Sequence, residues 1–211
     1  MDISPLTLNR LSVYLRCLRR LHEQEVAYVS SQQLALQFHL SAAQIRKDLT
    51  QFGEFGTRGV GYRVAPLLDR LTEVLGLDQK HALAVVGMGS LGSAFARHIG
   101  GTPDGPFAVA AGLDSDPQKI GKQIGGILVE PVSELSQLVP ERDIKMGILA
   151  VPAAVAQETY DLLVAAGIRS ILNFAPTRLE KAPEVHSRNV DLRIYLEELA
   201  YYLALSPALP A

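Results

Sequence analysis

The chain has 211 residues, 48% hydrophobic and 20% charged, and its net charge of −2 divides into +3 over residues 1–66 and −5 over residues 67–211. This is ordinary globular composition, and the single cysteine excludes an internal disulfide and suits a reducing cytosol. No apolar run reaches the roughly 18 residues that a membrane span needs, so a soluble, cytoplasmic protein of one large or two small domains is expected.

The start, Met1–Asp2, leads into polar sequence without the basic and apolar regions of a secretory leader. The first third reads as helices. In LTLNRLSVYLRCLRRLHEQ, Leu8, Leu11, Leu15, Leu18 and Leu21 recur at three- and four-residue spacing and form one apolar stripe. Cys17 lies in this stretch and reads as a small buried side chain rather than a redox thiol. Two short helices follow, each opened by capping-box spacing, Ser30 with Gln33 and Ser41 with Gln44. In that box the hydroxyl accepts from the third backbone N–H and the glutamine reaches back. FHL between them is a tight turn, and Gly53 closes the second. EFGTRGVGYRV then sets Gly56, Gly59 and Gly61 among β-formers, a hairpin-like ribbon with Arg58 at its tip.

Two short capped helices after a longer one, then a glycine ribbon, is the order of a winged helix-turn-helix. Its recognition helix would start at Ser41 and carry Gln44, Arg46 and Lys47 towards base edges or phosphates. Arg58 suits the minor groove, whose negative potential favours arginine. The alternative is a helical cap or dimerisation domain with a solvated basic face.

Pro66 falls in the first turn of a linking helix, PLLDRLTEVLGL. Beyond it the strand candidates are ALAVVG, FAVAAGLD, GGILVEP, KMGILAVP and SILNFAP, with a clear helix in AAVAQETYDLLVAAG ended by Gly167. Near-continuous apolar strands are buried on both faces, so an α/β domain with a parallel sheet covered by helices is expected. DLRIYLEELAYYLALSP is a last amphipathic helix whose Leu196, Leu199, Tyr202 and Leu203 need a partner surface.

The turn after the first of these strands, VVGMGSLGSA, reads G-x-G-x-x-G at Gly87, Gly89 and Gly92, with Met88, Ser90 and Leu91 between them. The first glycine makes the tight turn, the second lets the backbone approach a diphosphate, and the third lets helix and strand pack closely. The next strand ends in GLDSDP, placing Asp114 where an acid accepts both ribose hydroxyls and repels a 2′-phosphate, so NAD is favoured over NADP. Nothing evident uses the cofactor for chemistry. No tyrosine has a lysine four residues on, and His22, His39, His81, His98 and His186 lack an evident acid relay. No His/Cys/Asp cluster has metal spacing. An NAD-dependent oxidoreductase and a nucleotide- or CoA-binding module stay open as alternatives.

The strings QIRKDLTQFGEFGTRGVGY, VVGMGSLGSA, ILNFAP and NVDL, in this order and spacing, resemble those of the bacterial redox-sensing transcriptional repressor family Rex. The resemblance implies a homodimer that senses the NADH/NAD⁺ ratio, represses from an inverted-repeat operator in double-stranded DNA and leaves it on binding NADH. It is not an enzyme in that reading. The implied layout is a winged-helix DNA-binding domain and linking helix over 1–78, a Rossmann NAD(H)-binding domain over 79–190 and a dimerisation helix over 191–211, swapped between protomers. Carried over residue by residue, Arg46 and Lys47 fall on the recognition helix, and Arg58 and Gly59 on the wing. Gly87 to Gly92 fall on the diphosphate turn and Asp114 on the adenosine ribose; Pro152, Asn173, Ala175 and Pro176 fall near the nicotinamide. Family members link an arginine, a tyrosine and an aspartate across the dimer; here the positions hold Arg16, His98 and Asp191, with an imidazole in place of the phenol.

Overall fold

The computed structural model describes residues 3–38, 40–53, 55–57, 59–100 and 105–205. The chain forms two compact units, residues 1–79 and 80–211.

The first unit is built on α1 (Pro5–Glu23), started by Ser4, whose hydroxyl accepts from the Thr7 N–H at 3.2 Å. The leucine stripe buries Leu11, Leu15 and Leu18, together with Tyr14. Against it pack α2 (Ser31–Phe38), α3 (Ala42–Thr50) and α4 (Val64–Val74) through Leu34, Ile45, Leu49, Leu67 and Leu71. Each such fully buried side chain is worth about 1.5–3 kcal/mol against leaving it in water. Three short strands, β1 (Tyr28–Val29), β2 (Gly56–Thr57) and β3 (Gly61–Arg63), pair antiparallel in the order β1-β3-β2. The β2–β3 hairpin is the expected ribbon; β1, two residues long, gives no sequence pattern to find.

The first capping box is complete: Gln33 N–H donates to Ser30 Oγ at 3.1 Å and Ser30 N–H to Gln33 Oε1 at 2.8 Å. The second is half made, which corrects the expectation. Ser41 Oγ accepts from the Gln44 N–H at 3.0 Å, but the Gln44 side-chain amide turns the other way and donates to Asp48 at 2.8 Å. A buried carboxylate one turn on outcompetes the exposed Ser41 N–H for that side chain.

The second unit carries a seven-stranded sheet in the order β10-β9-β8-β4-β5-β7-β6. Its strands are β4 (His81–Val86), β5 (Phe107–Asp114), β6 (Gln123–Ile124), β7 (Ile127–Pro131), β8 (Met146–Leu149), β9 (Ser170–Asn173) and β10 (His186–Asn189). All pairings are parallel except β6 with β7, a short antiparallel edge. The helices are α5 (Ser90–Gly100), α6 (Leu135–Glu141), α7 (Ala153–Ala165) and α8 (Leu192–Leu205). The two faces of β4 are both buried. Ala84 and Val86 join one core with Leu138, Tyr160 and Leu163, while Leu83 and Val85 join another with Ala96, Val109 and Ile148. That alternation explains why the strand reads as a continuous apolar run. Strand order and crossovers are those of a Rossmann-type doubly wound sheet.

Candidate functional site

The sheet reverses its winding between β4 and β8, which are neighbours although β5, β6 and β7 intervene in the chain. Crevices at the carboxyl ends of strands at such a switch point are where doubly wound folds bind ligands. A cleft of about 720 Å³ opens there, lined by Gly87, Gly89, Ser90 and Leu91 after β4, Asp114 after β5, and Ala150 to Pro152 after β8.

The three glycines meet different constraints. Gly87 has φ +93°, and a Cβ there would lie 2.4 Å from the Ala150 carbonyl oxygen. A Cβ on Gly92 would lie 2.1 Å from the Gly87 oxygen, so this residue lets α5 close onto the turn. A Cβ on Gly89 would meet nothing within 4 Å. The open space over Gly89, beside the first turn of α5 with its outward N–H groups, fits a diphosphate. Met88 is buried and turned away, but its N–H donates to Asp114 Oδ2 at 2.8 Å.

Asp114 is itself buried and accepts from three donors: the Met88 N–H, the Asp116 N–H at 2.9 Å and Lys119 Nζ at 2.9 Å. Burial pushes its carboxyl up, but the hydrogen bonds and the lysine charge outweigh this and hold it below the usual carboxylate range. Asp114 therefore ties the glycine turn to the end of β5. Lys119, which no sequence motif marks, enters the cleft from the loop after β5; only the fold-back of that loop brings it to the acid. The far wall is apolar, with Val132, Val155 and Leu162, and also carries Glu158 and Thr159.

The NFAP residues divide. Phe174 lines the cleft and stacks edge-on against Phe95. Asn173 is fully buried and accepts from the Ala175 N–H at 2.9 Å, while its amide donates to Asn189 Oδ1 and to the carbonyls of Ala175 and Thr177. It shapes the loop rather than facing the cleft. Ala175 and Pro176 line a neighbouring pocket with Asp191.

In the first unit, Arg46 and Lys47 are exposed on α3, and Arg46 Nη1 donates to Ser31 Oγ at 2.9 Å. A groove of about 790 Å³ separates α3 from the ribbon, lined by Arg46, Thr50, Thr57 and Gly59. Gly59 makes the ribbon turn with φ +81°; Arg58 lies outside the described residues. Asp48 anchors α3 from beneath. It is 1% exposed and accepts from Arg10 Nε at 2.6 Å, Arg10 Nη2 at 2.8 Å, Tyr14 Oη at 3.0 Å and Gln44 Nε2 at 2.8 Å. Gln44 is thus engaged inside the unit.

Arg16 is exposed on α1, and among the described residues it has no acidic partner. His98 is exposed in the last turn of α5. Asp191 accepts from the Arg193 N–H at 2.9 Å and starts α8. That helix buries no residue: nine large apolar side chains, Leu199 and Tyr202 among them, are 55–76% exposed. Cys17 is buried, and its thiol donates to Gln37 Oε1 at 2.7 Å. Among the described residues no group of three His, Cys, Asp or Glu forms a metal site, and no helix is long and apolar enough to cross a membrane.

Residues 2–50 match the family described as "Putative DNA-binding protein N-terminus", and residues 78–177 match the family described as "CoA binding domain". With a winged helix-turn-helix in one unit and a nucleotide-sized cleft in the other, the class is that of a transcription regulator coupled to a nucleotide-binding domain. The redox-sensing transcriptional repressor Rex of Syntrophomonas wolfei subsp. wolfei is 48% identical over 200 residues, 95% of this chain and 95% of that protein. The solved structure of RSP in complex with beta-NAD+ and operator DNA superposes with a TM-score of 0.91 at 35% identity, over 97% of this chain and 94% of that one. RSP in complex with beta-NADH gives 0.87 at 34% identity, over 97% and 96%. The chain belongs to the Rex family of redox-sensing transcriptional repressors.

Proposed function

We propose that this chain represses transcription as a homodimer on an inverted-repeat operator and is released by NADH. The observation that carries the reading is one chain holding both a switch-point cleft with an open Gly89 and a Ser41-capped helix with exposed Arg46 and Lys47. As a member of a repressor family it is no oxidoreductase, and it acts on DNA in the cytoplasm.

Gly87, Gly89, Ser90, Leu91 and Gly92 would hold the diphosphate, Asp114 the adenosine ribose, and Pro152 with the NFAP loop the nicotinamide end. When bound, the nicotinamide supplies the signal, since the oxidised ring carries a positive charge that the reduced ring lacks. Apolar walls such as Val151 and Phe174 favour the neutral ring. NADH shifts DNA binding only through its difference in affinity for the two dimer states, about 1–3 kcal/mol in typical systems, or about 5- to 150-fold. Arg46, Lys47, Arg58 and Gly59 meet the DNA, and paired helices set half-sites a whole number of turns apart. Arg16, His98 and Asp191 are proposed to link units across the dimer. The exposed face of α8 is proposed to pack on the partner.

The test is fluorescence anisotropy of a labelled inverted-repeat duplex, titrated with NADH, NAD⁺ and coenzyme A at fixed salt. Release by NADH where the other two have little effect is the expected result. Binding indifferent to all three would leave a DNA-binding protein with another effector.

A further inference from the structure

Lys119 is the one cation lining the dinucleotide cleft among the described residues. Its ammonium lies 2.9 Å from Asp114 Oδ2 and 3.9 Å from Asp116 Oδ2, with 35% of the side chain exposed. A carboxylate offers about four acceptor sites. On Asp114 three are taken: Oδ2 accepts from the Met88 N–H and from Lys119, and Oδ1 accepts from the Asp116 N–H. The remaining site, on Oδ1, accommodates one hydroxyl donor, whereas an adenosine ribose brings two vicinal hydroxyls. The ammonium has about three protons to donate and gives one to Asp114.

We infer that Lys119 is a specificity-determining residue of this cleft: it donates to one adenosine ribose hydroxyl while Asp114 Oδ1 accepts from the other, and its ion pair with Asp114 withholds its charge from a 2′-phosphate. The inference rests on the reading of the cleft as a dinucleotide site. With Asp114 in place, one cation stands against two carboxylates, and a 2′-phosphate meets net repulsion. Without the Asp114 charge, the same lysine faces the ligand with Asp116, a half-exposed and well-solvated acid, as the one carboxylate within 4.0 Å of it among the described residues. Selectivity for the unphosphorylated ribose therefore belongs to the pair and not to the acid alone.

The experiment measures NADH and NADPH binding to the full chain by nicotinamide fluorescence. It compares the wild type with Lys119→Met, Lys119→Arg, Asp114→Asn and the Asp114→Asn/Lys119→Met double variant. Lys119→Met weakens NADH binding about tenfold, the effect of losing one charge-assisted hydrogen bond, and Lys119→Arg restores most of it. Asp114→Asn raises NADPH affinity relative to NADH about tenfold or more, and the double variant loses that gain. NADH binding unchanged in Lys119→Met, or a gain for NADPH that survives without the lysine, overturns the inference while leaving the cleft a dinucleotide site. A wild type that binds neither nucleotide removes the reading of the cleft and the inference with it. If Asp114→Asn unfolds, the two single lysine variants decide alone.

Discussion

Replacing Asp48 by alanine strips the DNA-binding unit of its most concentrated set of polar contacts. Four hydrogen bonds end on that carboxylate, two of them from the Arg10 guanidinium. Asp48→Ala leaves the buried Tyr14 hydroxyl without its acceptor and Arg10 without its counter-charge. Breaking one partner of a buried ion pair costs about 3–5 kcal/mol. The Arg10 side chain is 24% exposed and regains some hydration, so the expected loss is about 2–4 kcal/mol. A unit of this size melts about 4–8 °C lower per kcal/mol, so a drop of about 10 °C or more is expected. Circular dichroism melting of the full chain reads the stability, and anisotropy with operator and fluorescence with NADH read the two sites. Operator affinity falls about tenfold or more because α3 loses its anchor, while NADH affinity, a property of the other unit, stays within a factor of about two. Melting and operator affinity both unchanged would refute the argument that Asp48 positions α3. The pH dependence has a definite sign. Burial pushes the Asp48 carboxyl up, but the hydrogen bonds from Arg10, Gln44 and Tyr14 and the Arg10 charge outweigh it and hold it below the usual range. Its stabilisation is therefore complete above the ordinary carboxylate range and lost as pH falls through the lowered folded value. Asp48→Ala flattens that part of the acid slope.

The second and third glycines of the turn, Gly89 and Gly92, separate folding from binding. Gly89→Ala places its Cβ in open space and keeps the melting temperature, yet on the proposed site lowers NADH affinity about tenfold or more by filling the space assigned to the diphosphate; normal affinity would place the diphosphate elsewhere. Gly92→Ala drives its Cβ against the Gly87 oxygen and costs about 1–3 kcal/mol or more of stability along with NADH binding, seen by melting and titration together. Leu199→Glu, on the exposed face of α8, converts the proposed dimer to monomer in light scattering at micromolar concentration; an unchanged mass would place the interface elsewhere. Lys47→Ala weakens binding to operator and random DNA alike and lowers the slope of log K against log salt by about one, whereas a loss confined to operator would make Lys47 a base reader.

β4, β5 and β8 announce themselves because most of their residues on both faces are buried, so apolar residues dominate each run. β10, HSRN, is an edge strand with exposed residues and no apolar pattern; it exists because its backbone pairs in register with β9. α6 carries Pro140 within seven residues and offers less than two turns of periodicity. Gly87, Gly89 and Gly92 could be placed from strand, turn and helix together, since each backbone role is local. Lys119 and the inward turn of Asn173 could not, because each is settled by a partner that only the folded loop brings near. Gln44 shows the limit of spacing rules: a capping-box glutamine is free to choose, and a buried aspartate one turn away decided.

The exposed apolar surface of α8 has a consequence for dosage. Its 14 residues bury nothing within the chain, and a helix of that length alone in water is marginal. On the proposed dimer, ordering α8 and joining the partner are a single equilibrium that depends on protomer concentration. Below the dimerisation constant, the number of competent dimers rises as the square of the number of chains. Occupancy of an unsaturated operator then rises with that square, so halving expression of the repressor cuts occupancy about fourfold before any change in redox state.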